Sequence, residues 1–317
     1  FLRAAAMAIE SRDPSTAGHS ERVAKLMIAM AEEINRSNEG PFENIRFSPK
    51  ELQAIKYAAL LHDFGKIGVR EDLLRKAKKL YPWELLGIRE RLDLLRASIK
   101  METAQAKVRH LSAAGRVGDP KWNEIDRCAQ EKMEEIQKNQ GLIERSNEPT
   151  ILSEEITGGL RRLSGWSFLR PNGNRSTVVS EEQLQRLSIP KGSLSEEERK
   201  EIESHVAHTY EFLARIPWTR DLRSIPEIAR RHHEKLDGSG YPSGAREDQI
   251  FLPSRMMAVA DVFDALTAHD RPYKNALSVD QALEVLRSEG QAGKLDPAVV
   301  HLFIKKRIYE VVAPPRR

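Results

Sequence analysis

The sequence has a single cysteine, Cys128, in 317 residues. It excludes an internal disulfide and a cysteine-based zinc knuckle, fits a reducing compartment, and makes the cytoplasm the default location. No apolar run approaches the roughly 18 residues that a membrane span needs, so no membrane is expected as a partner of this fragment. An excess of one charge is also missing. Lys and Arg number 51 against 47 Asp and Glu, a formal +4, too small an excess to point to DNA. Internal repeats and low-complexity tracts are absent, and alternating runs are too few for a substantial sheet, which leaves an all-α fold. The chain begins "FLRAAAMAIE", with neither an initiator Met nor a signal peptide, and reads as a fragment of a longer protein.

What is present is helical periodicity. Residues 1–12 have helical composition, and Asp13 and Pro14 mark a stop before "ERVAKLMIAMAEEI", where Val23, Leu26, Met27 and Met30 recur at helical spacing with His19 just ahead. "SPKELQAIKYAALLHDFGK" opens with a Ser cap and Pro49, and runs Leu52, Ile55, Ala59 and Leu60 towards a C-terminal His62-Asp63 doublet. Beyond residue 77 the character changes. Leu85, Ile88, Leu92, Leu95 and Ile99, then Ala129, Ile136 and Ile143, predict a helical hairpin packed on itself. "GGLRRLSGWSFLRPNGNRSTVVS" reads as a loop region with one short strand pair at most. Helix returns after Ser195, which with Glu198 matches a capping box.

Histidine is scarce, nine in all, so its placement carries information. His62 and Asp63 stand together in the apolar run "LLHDFGKIG"; His205 lies in "EIESHVAH", and His232 and His233 in "ARRHHEKLDGSGYP". Asp261 is embedded in the apolar "MAVADVFDALT", with Asp264 one turn on. A carboxylate in an apolar helix needs a partner or a metal. Adjacent helical residues point about 100° apart, so the doublet suits flanking a pair of ions, Asp63 bridging them about 3.5–4 Å apart. Mixed imidazole and carboxylate ligands favour Fe, Mn or Zn over Ca or Mg. The matching chemistry is hydrolysis of a phosphate ester.

Four segments in order, "RDPSTAGHSERV", "LLHDFGKIG", "HHEKLDGSGYP" and "ADVFDALTAHDRPYK", resemble the motifs of the HD-GYP family, a branch of the HD phosphohydrolases. The resemblance implies an HD-type helical bundle over 1–76 and 189–317, with 77–188 as a long inserted hairpin and loop region. It implies one metal on His19, His62, Asp63 and Asp261 and a second on Asp63, His205, His232 and His233. Two divalent ions, Fe or Mn, are expected. Ser15 stands where members with a third ion have Glu. Asp63 and Lys66 become the catalytic pair, Lys66, Arg271 and Lys274 become substrate contacts at phosphate, and the loop with Gly240 and Tyr241 becomes a contact to substrate or to a partner. The family hydrolyses cyclic di-GMP or related cyclic dinucleotides to linear pGpG, with cleavage on to GMP left open. This would be the output half of a signalling protein, its N-terminal sensor lying before residue 1. A non-catalytic nucleotide- or partner-binding module and a nucleoside-phosphate hydrolase are the alternatives. Asp264 is open between a support for a ligating His and a surface charge. The insert could cover the site, decorate the surface or join a homodimer, and its spare apolar stripe favours the last.

Overall fold

The computed structural model describes residues 2–12, 17–170, 173–268 and 276–312. Thirteen α-helices and one short strand pair are found among them, an all-α protein. The chain divides into two compact units, residues 1–75 with 198–317, and residues 76–197. Residues 189–197 thus group with the second unit. No helix among the described residues is long and apolar enough to cross a membrane.

The first unit opens with α1 (Leu2–Glu10), α2 (His19–Arg36), α3 (Pro49–Leu61) and the short α4 (Glu71–Leu74). Helix α2 buries Val23, Leu26, Met27, Met30, Ala31 and Ile34 along one face, the stripe its periodicity predicts. A reciprocal Ser48–Glu51 capping box starts α3 with Pro49 in its first turn. Next in the chain comes the second unit, α5 (Pro82–Ser112), α6 (Pro120–Ser146), α7 (Glu154–Arg162), β1 (Ser167–Leu169), β2 (Arg175–Thr177) and α8 (Glu181–Leu187). The first unit then resumes with most of α9 (Glu196–Ala214), followed by α10 (Ile225–Arg230), α11 (Leu252–Thr267), α12 (Val279–Gln291) and α13 (Pro297–Lys305). Helices α2, α3, α10 and α11 surround one core that includes Leu26, Met30, Ile55, Ile228, Met257 and Phe263.

In the second unit α5 and α6 pair through Ile88, Leu92, Ile99, Ile136 and Ile143. Asp119 caps α6 by accepting from Trp122 N at 2.8 Å and from His110 Nε2 at 2.8 Å. The region read from sequence as loop also holds helices α7 and α8. Gly159 in α7 has a packing reason: a Cβ there would come within 2.7 Å of Leu142 Cδ2. Ser180 and Gln183 form the capping box of α8. Ser167 pairs with Thr177, Phe168 with Ser176 and Leu169 with Arg175 in the antiparallel β1–β2 pair. Lys79 is fully buried in this unit, its ammonium 3.3 Å from the Leu187 carbonyl.

Candidate metal centre

Helix α3 ends at His62, and a tight 3-10 turn, Phe64–Gly68, follows Asp63. This turn sits directly on α9. A Cβ at Gly65 would fall 1.9 Å from the His205 carbonyl oxygen and 2.4 Å from Thr209 N, so glycine is required by close approach. Thr209, fully buried, locks the seam: its hydroxyl accepts from Gly65 N at 2.8 Å and donates to His62 O at 3.0 Å. The result sets Asp63 Oδ1 3.2 Å from His205 Nε2.

The histidines are aimed by their own backbones. Nδ1 of His62 lies 2.7 Å from Ala59 O, that of His205 2.6 Å from Ile202 O, and that of His232 2.6 Å from Ala229 O. A proton on each Nδ1 satisfies that carbonyl and leaves Nε2 as an unprotonated acceptor. His19, the first residue of α2, is held by Asp264 on α11, whose Oδ2 is 2.7 Å from His19 Nδ1. Its Nε2 then lies 3.2 Å from Asp261 Oδ1 and 3.3 Å from His62 Nε2.

All seven residues proposed as ligands from sequence fall in one cluster. His19, His62 and Asp261 form one group whose ligand atoms lie within 4.8 Å of one another, and His205, His232 and His233 form a second. His62, Asp63 and His232 form a third at the same spacing, linking the other two. Such buried donors ask for a cation. The Nε2 atoms of His205 and His232 are buried with no hydrogen-bond partner, and an unprotonated Nε2 facing the Asp63 carboxylate sets acceptor against acceptor. These residues fit a metal.

Electrostatics agree with that donor set. Burial lowers the pKa of His62, and that of His232 well below its ordinary value; burial takes His233 to about 4, so these rings are neutral ligands in waiting. Burial opposes charge on His19 as well, but hydrogen bonds to Asp261 and Asp264 and the charges of Asp261 and Asp63 prevail and raise it to about 9. Burial likewise opposes ionisation of Asp63, and is outweighed first by the Lys66 ammonium, so the carboxyl stays well below the carboxylate range. Asp261 is lowered too: the penalty of burial is overcome chiefly by its hydrogen bond to His19.

Lys66, expected to face phosphate, has its Nζ 2.8 Å from Asp63 Oδ2. Gly240 lets the "GSGYP" loop fold back on the His233 region, since a Cβ there would sit 2.5 Å from His233 O. The Tyr241 ring lies 4.8 Å from that of His233. Arg271, Lys274 and Ser15 lie outside the described residues. Asp264 is settled as a buried support, accepting from His19 and from Arg22 Nε at 2.6 Å. Sequence reasoning missed Arg22, Thr209 and Glu234. Glu234 is buried and accepts from Ser243 N at 2.7 Å and Ala245 N at 2.9 Å, tying the loop to the histidine doublet. Arg22 lies three residues after His19 and Thr209 four after His205, spacings that share a helix face and could have flagged both.

A family profile described as HD domain matches residues 16–143, and a second, also described as HD domain, matches residues 180–299. The 3'3'-cGAMP-specific phosphodiesterase 3 of Vibrio cholerae is 39% identical over 106 residues, 33% of this chain and 22% of that protein. The cyclic di-GMP phosphodiesterase response regulator RpfG of Xanthomonas campestris is 43% identical over 117 residues, 37% of this chain and 30% of that protein. A cyclic di-GMP phosphodiesterase of Thermotoga maritima is 38% identical over 121 residues, 38% of this chain and 32% of that protein. The chain spans about a third or less of the length of these relatives.

Proposed function

Since this chain belongs to the HD domain family and carries the motifs of its HD-GYP branch, we propose that it is a metal-dependent phosphodiesterase for cyclic di-GMP or a related cyclic dinucleotide. The observation that carries this reading is the bridging position of Asp63, one oxygen 3.2 Å from His205 and the other 3.6 Å from His62. On this reading His19, His62 and Asp261 would hold one divalent ion and His205, His232 and His233 a second, with Asp63 serving both. Five imidazoles and two carboxylates suit Fe or Mn. When bound, such a pair supplies Lewis acidity at phosphorus and lowers the pKa of a water.

The chain's own groups do the rest. Asp264 keeps a proton on Nδ1 of His19 and so frees its Nε2 for ligation. Lys66 shares its charge between Asp63 and the phosphate, stabilising the charge that builds up on phosphate oxygens. Arg271 and Lys274 add cations for the second phosphate of the substrate. The Gly240–Tyr241 loop, pinned by Glu234, gives the base or ribose a rigid wall beside His233. Linear pGpG is the first product, and the enzyme works in the cytoplasm, in keeping with its lone Cys128. Metal analysis together with incubation with cyclic di-GMP and 3'3'-cGAMP, followed by chromatography, tests the proposal. Linear dinucleotide formed only with metal supports it; retained dinucleotide binding without turnover in Mn- and Fe-loaded protein would replace it with a binding module.

A further inference from the structure

Helix α5 carries apolar residues on two opposite faces. The inner one, Ile88, Leu92 and Ile99, packs against α6. The outer one is Leu94, Ala97, Met101, Ala104, Val108 and Leu111, all exposed, with Leu94 and Met101 at 42%, Leu111 at 44% and Val108 at 63%. Their spacing, three and four in turn, is the a/d seam of a coiled coil. On a helix of 100° per residue this seam lies opposite Ile99. Helix α6 has no such second face: its outward residues Asn123, Arg127, Gln130, Glu134 and Lys138 are polar and exposed. Two helices of one hairpin, equally placed to meet water, thus differ on their outer surfaces. The α5 face is the apolar one of the two.

The sequence of the stripe says which partner. Running a second α5 antiparallel so that Leu94 meets Leu111 also sets Ala97 against Val108 and Met101 against Ala104. Every layer but the outermost then pairs a small side chain with a larger one, the complementarity a close helix crossing needs. A parallel register would instead stack Ala97 on Ala97 and Ala104 on Ala104, leaving gaps. Two of the charged residues farther round the helix are engaged within the hairpin, while Asp93 and Lys100 border the seam and are exposed. Lys107 is 2.5 Å from Asp126 on α6 and lies over the Trp122 ring, and Arg96 bonds Gln140 and Asp93. The same register brings the hairpin turn of the second copy, with its 71% exposed Val117, level with the exposed Leu86.

We propose that the outer face of α5 is the dimer interface of this protein, an antiparallel α5–α5 contact between two copies of the chain. The 18 residues from Leu94 to Leu111 make a strip about 27 Å long and about 10 Å across. At about 270 Å² on each copy this is well below a standard stable interface of roughly 1,200 Å² or more in total, so the contact is a weak one and the dimer forms in proportion to protein concentration. The proposal is independent of the catalytic reading.

Sedimentation of the full chain between 1 and 100 µM tests it. The wild type passes from 36.0 kDa towards twice that mass, while Met101→Glu with Val108→Glu stays monomeric at every concentration with unchanged circular dichroism. Ala97→Glu alone, on an exposed alanine, gives the same result should the double variant lose helix. A wild type that is monomeric at 100 µM, or a dimer that survives Ala97→Glu, overturns the interface. In a Cys128→Ser background, oxidation of mixed Leu94→Cys and Leu111→Cys chains gives a cross-linked dimer and neither gives one alone. Cross-linking of Leu94→Cys with itself overturns the antiparallel register.

Discussion

In the first unit seven ionisable side chains from α2, α3, α9, α10, α11 and their flanking turns meet in one cluster; in the second a single charged side chain, Lys79, is fully buried, while large apolar residues line the outside of α5. Both units break the inside–outside rule, in opposite directions. The first puts imidazoles and carboxylates in largely buried positions, a donor set that fits a cation. The second puts hydrocarbon in contact with water along α5, the face proposed here to meet a second copy. A departure from the rule can therefore state the chemistry of what is missing: imidazole lone pairs with no hydrogen-bond donor fit a metal, and an exposed a/d stripe fits another helix.

The largest expected effect comes from removing the shared ligand. Asp63→Ala should lose both bound metal and hydrolysis, a fall of about a thousandfold or more, because it removes the one ligand proposed for both ions, a carboxylate that approaches His205 with one oxygen and His62 with the other. Metal content by mass spectrometry and turnover are read together, and normal turnover with two metals per chain would break the comparison. Next is Lys66→Ala. It should keep the metal but lower kcat/KM by about 100- to 1000-fold, the usual loss for one preorganised donor at a developing negative charge. Loss of metal in this variant would make Lys66 a structural partner of Asp63.

Asp264→Asn sharpens the picture one layer out. It touches no proposed ion, yet weakens the hold on the His19 ring, and should lower Mn affinity by about 10- to 100-fold as measured by equilibrium dialysis. Unchanged affinity would show that α2 packing alone orients His19.

The smallest effect belongs to Lys79. Burial lowers its pKa from 10.5 to about 8, so between those values the unfolded chain binds more protons than the folded one. Stability from this group therefore rises as pH climbs from 8 to 10.5, with the full penalty present below 8. Lys79→Met should stabilise the second unit by about 1–3 kcal/mol at pH 7. The gain over wild type should shrink at pH 10, compared by urea unfolding at both pH values. An equal gain at both would mean that the benefit is packing and not charge.

Much of the centre was legible because it uses rare residue types in apolar surroundings. Histidine doublets and a carboxylate inside "MAVADVFDALT" stand out from any helical background. Asp264 did not, since a residue one turn from a ligand has equal access to core and surface until α2 is placed and Arg22 and His19 reach it. Thr209 and Gly65 were silent for a different reason. Their role is a backbone contact between segments 144 residues apart, and neither residue type announces one. Helices α7 and α8, of nine and seven residues, complete too few turns to show a period, and the glycines of α7 pointed the wrong way. The two-ion count suggested by Ser15 falls outside the described residues and rests on the ligand number alone.

The seam at Gly65 has a bearing on how the chain is made. At about 5–20 residues per second, the HD doublet leaves the ribosome roughly 7–30 s before Thr209 does. Through that interval α2 and α3 lack α10 and α11, the helices that cover them, while the contiguous second unit is synthesised in full. The nascent first unit therefore waits with Met27, Met30 and Ile55 uncovered, and the long insert lengthens the wait. Chaperone demand during synthesis should accordingly fall when the insert is shortened, whatever the insert does in the finished protein.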